Sequence, residues 1–211
     1  MTAHARASAF VGLALVAAVT AGCSGSGSSA SKSPPASHSP SSSSASGTQN
    51  NAAPTESNPP GDIPDNQVYV PFQGTGFTLK VPEGWARTQR DGGTTAFTDK
   101  LNTVRIQTAS APTAPTVGDV THTVVPQLRS QVPKFAAPRV SEVTRHAGRV
   151  VLLTYQGDSA KDPVTGKVVR DAFERYAFYR SGHEVNLTLS GPVNADNVDP
   201  WRTISDSFAW R

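Results

Sequence analysis

The chain has 211 residues, a formal net charge of +3 and a single cysteine. One cysteine excludes a framework of internal disulfides, so any folded part is held by packing alone. Its basic residues (Arg87, Arg90, Arg105, Arg129, Arg145 and Arg175 among them) are interleaved with acidic ones. With no basic run and no aromatic platform, nucleic acid is not expected as a partner, despite a pI near 9.2. Aromatic residues are unevenly spread: Phe10 is the sole one before Pro60, whereas all 3 Trp and all 4 Tyr follow Asn66. Only the last ~145 residues can bury a core, enough for one domain.

In chain order, the polar start MTAHAR, with Arg6 as its one firm positive charge, precedes an apolar stretch from Ala7 to Ala18. That stretch is too short to span ~30 Å of hydrocarbon and has the form of a signal-peptide core. Small residues, Thr20, Ala21 and Gly22, lead directly to Cys23. The segment resembles the lipobox of bacterial lipoproteins, with Thr20 where Leu is commonest. The resemblance implies a signal peptide over residues 1–22, cleavage between Gly22 and Cys23, and a lipid thioether on the Cys23 sulfur. Small side chains admit the backbone to a peptidase, and a thiol is the soft nucleophile that thioether formation needs. Two acyl chains, at about 0.8 kcal/mol per buried methylene, suffice for stable anchoring. Two other readings stand beside this one. An ordinary signal peptidase, using Val19 and Ala21, would release a soluble protein with a free thiol; alternatively, Cys23 is a buried core residue.

Residues 23–65 read as a tether. From Ser24 to Pro60 the chain is dominated by Ser, Pro, Gly, Asn and Ala, with no aliphatic side chain larger than Ala. Such a segment cannot offset the entropy of ordering it and is expected to be disordered. As a flexible coil it spans roughly 35 Å, enough to hold a domain off a bilayer. His38, inside this run, reads as an exposed linker residue rather than a metal ligand.

Residues 66–211 form the expected globular domain. VYVPF (68–72) and FTLKVP (77–82) alternate about a Gly74-Thr75-Gly76 turn and predict an opening hairpin. TTAFTD and NTVRIQT predict a second hairpin turning at Lys100 to Asn102. The segment TVGDVTHTVVPQLRSQV predicts a helix: Thr116 and Asp119 have capping-box spacing, and Val117, Val120, Val124 and Leu128 share a face. Pro126 inside it predicts a kink or break. RVSEVTR (139–145) reads as a strand, and the continuous apolar run Val150–Leu153 as a strand covered on both faces. VVRDAFERYAFYR and HEVNLTLSGP, joined at Gly182, follow as strands. A closing helix is predicted with Asp199 as N-cap and Pro200 in its first position, with Trp201, Ile204 and Phe208 on one face. The fold class is α+β: an antiparallel sheet of about seven or eight strands with helices on both faces.

FTLKVPEGW, a helix, paired strands ending in an aromatic-rich one, VNLTLSGP, and a terminal helix closing on ISDSF together resemble the PsbP-like alpha/beta/alpha sandwich family. Actinobacterial surface lipoproteins carry this domain behind a similar lipobox and tether. The resemblance covers residues 66–211 and rests on dispersed hydrophobic and turn positions. It implies a non-enzymatic binding or assembly role, as in an extrinsic photosystem subunit or a Ran-binding import factor, without specifying a partner.

Chemical motifs are sparse. Gly166-Lys167 is followed by Val168 and so makes no phosphate loop, and no G-x-S-x-G elbow occurs. His122, His146 and His183 lie in three elements without metal-ligand spacing. Asp158, Asp162 and Asp171 lack the calcium-loop pattern and read as turn chemistry. Tyr176, Phe178 and Tyr179 read as core packed against Trp85 and Trp201, with the lining of an apolar pocket as the alternative. Alternation puts Arg170 and Arg180 on one side of their strand and Arg175 on the other, which reads as a solvated edge. No catalytic, cofactor-binding or metal-binding residue is assigned, and no cofactor is expected. The expectation is a lipid-anchored protein on the extracytoplasmic face of the cell membrane, acting as a non-enzymatic binding or accessory module toward an envelope protein or ligand. A carrier of a small apolar or lipid ligand is the first alternative and requires an apolar cavity of about 300 Å³ or more. An envelope hydrolase is the second and requires a nucleophile within reach of a histidine.

Overall fold

The computed structural model describes residues 59–90, 92–162 and 165–211. The expected signal peptide, the Gly22/Cys23 cleavage and lipid site, His38 and nearly all of the tether lie outside the described residues.

Alternation in the sequence becomes two antiparallel sheets. β1 (Tyr69–Gly74), β2 (Phe77–Pro82) and the two-residue β10 (Ala209–Trp210) make a small sheet in the order β1-β2-β10. The larger sheet has seven strands: β3 (Ala86–Arg90), β4 (Thr94–Asp99), β5 (Asn102–Ser110), β6 (Ala136–Arg145), β7 (Gly148–Asp158), β8 (Arg170–Arg180) and β9 (His183–Pro192). Their spatial order is β3-β4-β5-β9-β8-β7-β6, every neighbouring pair antiparallel. β8 and β9 meet in a two-residue turn in which Ser181 and Gly182 have φ of 49° and 86°, the left-handed pair that matches strand twist in a tight hairpin.

Because side chains alternate across each strand, the large sheet buries two faces. On one, Val104, Ile106, Tyr176, Phe178, Leu187 and Leu189 meet the small sheet and α3 (Val198–Asp206). On the other, Val151, Leu153, Tyr155 and Ala177 meet the helical segment 117–131 through Val120 and Val125. Helices therefore cover both faces, and the run Val150–Leu153 feeds both cores, even-numbered residues one way and odd-numbered the other. The class is α+β, as expected.

The helical segment consists of α1 (Val117–Asp119), a π-helical turn (Val120–Val124) and α2 (Val125–Gln131). Its capping box forms as the spacing predicts: the Thr116 hydroxyl accepts from the Asp119 amide, and the Asp119 carboxylate accepts from the Thr116 amide. The chain answers Pro126 by widening the turn before it, with the Val125 amide bonded five residues back to the Val120 carbonyl. Val117, expected on the apolar face, is exposed, and Val125 is buried in its place.

Other differences have local causes. β3 was invisible to alternation because all five of its residues are exposed, as suits a charged edge strand. β10 is too short to carry a pattern and forms because the chain leaving α3 reaches the free edge of β2. α3 begins at Val198 rather than after Asp199, so Pro200 sits within the first turn; Asn197 holds the N-cap position but caps nothing with its side chain. That side chain is engaged elsewhere. Asn197 Oδ1 accepts from the Ile63 amide (2.8 Å), while Asn197 Nδ2 donates to Gly61 O and to Asn102 Oδ1 (both 3.0 Å). Ile63, in the segment read as tether, is 3% exposed in the first core. The ordered domain thus takes in residues before the boundary at 66.

Candidate functional site

A pocket of about 220 Å³ lies between the helical segment and the exposed end of the large sheet. Strand register builds its floor. Val151 on β7 faces Ala177 on β8, Ala177 faces Asn186 on β9, and Leu153 faces Arg175. Side chains on one face of three adjacent strands thus make one patch, apolar toward β7 and polar toward β9. The opposite wall is helical, with Val120, Thr123 and Val124, and the connection from β5 closes one end through Ala111, Pro112 and Pro115. That connection is tied down by hydrogen bonds: the Ala111 amide donates to Gly182 O (3.0 Å), and the Tyr179 hydroxyl donates to Pro112 O (3.3 Å) while accepting from the Gly182 amide (3.1 Å).

Two polar groups of the floor are incompletely matched. Among the described residues the Arg175 side chain makes no hydrogen bond and no ion pair within 4.0 Å. Burial pulls its guanidinium below the usual arginine range; nearby Tyr155 and Glu184 oppose that, and Arg105 adds to it. Asn186 is 5% exposed and its Oδ1 has no partner. Its Nδ2 donates to Glu184 Oε1 (2.5 Å), which engages that carboxylate oxygen. The Asp119 carboxylate, at the rim, is held by Thr116, whose side-chain and backbone hydrogen bonds lower its pKa.

The remaining residues singled out in the sequence scatter. His122, His146 and His183 are exposed, on the π-helical turn, the β6–β7 turn and the start of β9. Asp162 shapes its own turn, its Oδ1 accepting from the Thr165 amide (2.6 Å) and hydroxyl (2.8 Å). Asp158 pairs with Lys134 (3.0 Å) and Arg170 (3.6 Å), whereas Asp171 is buried nearby with Oδ1 unpartnered. Among the described residues, no group of three or more His, Cys, Asp or Glu is arranged to hold a metal ion. Tyr176 and Phe178 lie in the first core, as expected, and Tyr179 faces the other way toward the pocket's end. The Tyr176 hydroxyl donates to Glu174 Oε2 (2.5 Å) and accepts from Arg145 Nη2 (2.9 Å). Burial and then the Glu174 carboxylate push its pKa up to about 12.

The solvated edge expected of Arg170, Arg175 and Arg180 is corrected. β8 is an inner strand, between β9 and β7. Arg170 reaches Asp158, Arg180 lies over the Trp210 ring (5.4 Å to its centroid), and Arg175 is half-buried in the pocket lined by the helical segment. Periodicity assigns a residue to a side of its strand, and only strand order says what covers that side.

No family model and no curated protein matches the sequence. Among solved structures the chain is similar to cyanobacterial PsbP (CyanoP) from Synechocystis sp. PCC 6803, with 15% identity, 72% of this chain and 98% of that one covered, and a TM-score of 0.49. It is also similar to LpqN of Mycobacterium tuberculosis, described as involved in cell envelope biogenesis (15% identity, 69% and 91% covered, TM-score 0.40). A third is a protein of unknown function from Pseudomonas aeruginosa (15% identity, 68% and 97% covered, TM-score 0.44).

Proposed function

We propose that this chain is a lipid-anchored, extracytoplasmic protein of the cell envelope whose folded domain is a non-enzymatic binding or accessory module. The observation that carries the reading is VTAGCSGSG, residues 19–27, in which a lipobox-like site opens directly onto a Ser/Pro-rich spacer. Among the described residues no helix is long and apolar enough to cross a membrane, and the attachment proposed is the lipid on Cys23.

The domain's geometry favours binding over the two alternatives. A lipid carrier needs an apolar cavity of about 300 Å³ or more, and the pocket holds about 220 Å³ over a partly polar floor. A hydrolase needs a nucleophile within reach of a histidine, and the three histidines are exposed on separate elements. Detergent-phase partition tests the anchor. The wild-type protein is expected in the detergent phase and Cys23→Ala in the aqueous phase; equal partition of the two overturns lipidation. Crosslinking in intact cells is expected to capture an envelope protein.

A further inference from the structure

We propose that the pocket beneath the helical segment binds a small monocarboxylate with an apolar body, its carboxylate on Arg175 and its chain on Val151, Leu153 and Val124. This deepens the reading of the domain as a binding module and rests on it. Three observations converge. Arg175 is a permanent cation with five N–H donors and a fork suited to a carboxylate, and no acceptor of the described residues uses it. The lining next to it, from Val151, Leu153, Ala177 and Val124, is apolar. The volume, about 220 Å³, exceeds the ~150 Å³ engineered cavity that takes one benzene and suits a single ring or short branched chain bearing one polar head.

The surrounding charges select the valence of the head. Arg105 adds positive potential at Arg175 and Glu184 adds negative, while the Asp119 carboxylate stands at the pocket rim. A single negative charge is matched by the free guanidinium, whereas a phosphate dianion meets both carboxylates.

The test is ligand-observed NMR titration of the full-length protein in detergent with 4-methylpentanoate, its neutral amide, and 2-hydroxy-4-methylpentanoate. The carboxylate is expected to bind about tenfold or more tightly than the amide, a difference of about 1.4 kcal/mol, and the hydroxy acid, which carries the same head, about as tightly as the carboxylate. Arg175→Met is expected to abolish the preference for the carboxylate and Arg175→Lys to retain part of it. Thr123→Trp, at an exposed helical position on the pocket wall, blocks the site without touching the core and is expected to remove binding of all three. Equal affinity for acid and amide, binding undisturbed by Thr123→Trp, or no binding of either acid to the wild type overturns the proposal. Cys23→Ala is expected to bind as the wild type does, so anchor and ligand are read separately. Chemical conversion of a bound probe in the same spectra would overturn the non-enzymatic reading while leaving the site in place.

Discussion

Asp171 shows how a single residue can couple this fold to pH. It is 5% exposed, with one carboxylate oxygen unpartnered. Burial, and then the neighbouring Asp158, push its pKa up to about 6 from 3.8. The folded state therefore holds the proton more tightly than the unfolded chain. The stability contributed by protonated Asp171 is fully present below the unfolded pKa and is lost as pH rises through the folded one. Asp171→Asn removes that dependence. In urea denaturation at about pH 3.5 and pH 7.5, the variant is expected to improve relative to wild type by about 2 kcal/mol at the higher pH; a pH-independent difference would contradict the raised pKa. The sequence reading of Asp171 as turn chemistry is corrected, because the residue lies buried within β8. DAFERYAFYR gives its side of the strand, but its burial comes from where β8 lies between its neighbours.

At the scale of the element, the helical segment 117–131 is the clearest case of a local signal read correctly and resolved unexpectedly. Thr116 and Asp119 announce its start, and Pro126 announces a disturbance. The disturbance takes the form of a π-helical turn, which moves Val125 onto the sheet beside Val120, both buried. In a regular α-helix two residues five apart lie roughly 140° apart around the axis, and one of the two valines would face water. The turn thus relieves Pro126 and puts both valines in the core with β7 and β8. If Pro126 imposes the turn, Pro126→Ala restores a backbone donor and is expected to stabilise the protein by about 1 kcal/mol, read as a raised Tm. An unchanged or lowered Tm would mean that packing of Val120 and Val125 holds the π turn by itself. The same helix forms the pocket wall, so the register of this turn also sets where Thr123 and Val124 stand over Arg175.

At the scale of the molecule, one ring is packed between the two sheets. Phe208, fully buried, stacks between Phe77 of the small sheet (5.2 Å between centroids, 13°) and Phe178 of the large one (3.9 Å, 11°), with Trp210 edge-on at 5.0 Å. Phe208→Ala opens a cavity at this junction and is expected to cost about 3–5 kcal/mol in equilibrium unfolding. Phe208→Leu should cost clearly less, and equal losses would indicate that stacking rather than volume joins the sheets.

By itself the sequence determined what depends on neighbours along the chain: hairpins at Gly74–Gly76 and Gly182, the capping box at Thr116, the two-faced strand at Val150–Leu153, and an α+β sheet covered on both faces. These signals are local, set by turn geometry and by the period of apolar side chains. Only the tertiary structure decided the rest. It paired β10 with β2, drew Ile63 into the core through Asn197, and set β8 between β9 and β7 so that Arg175 sits over a pocket instead of in water. A residue's side of a strand is encoded every second position, whereas its neighbours across the sheet come from segments tens of residues away, and their order is fixed only when the whole chain packs.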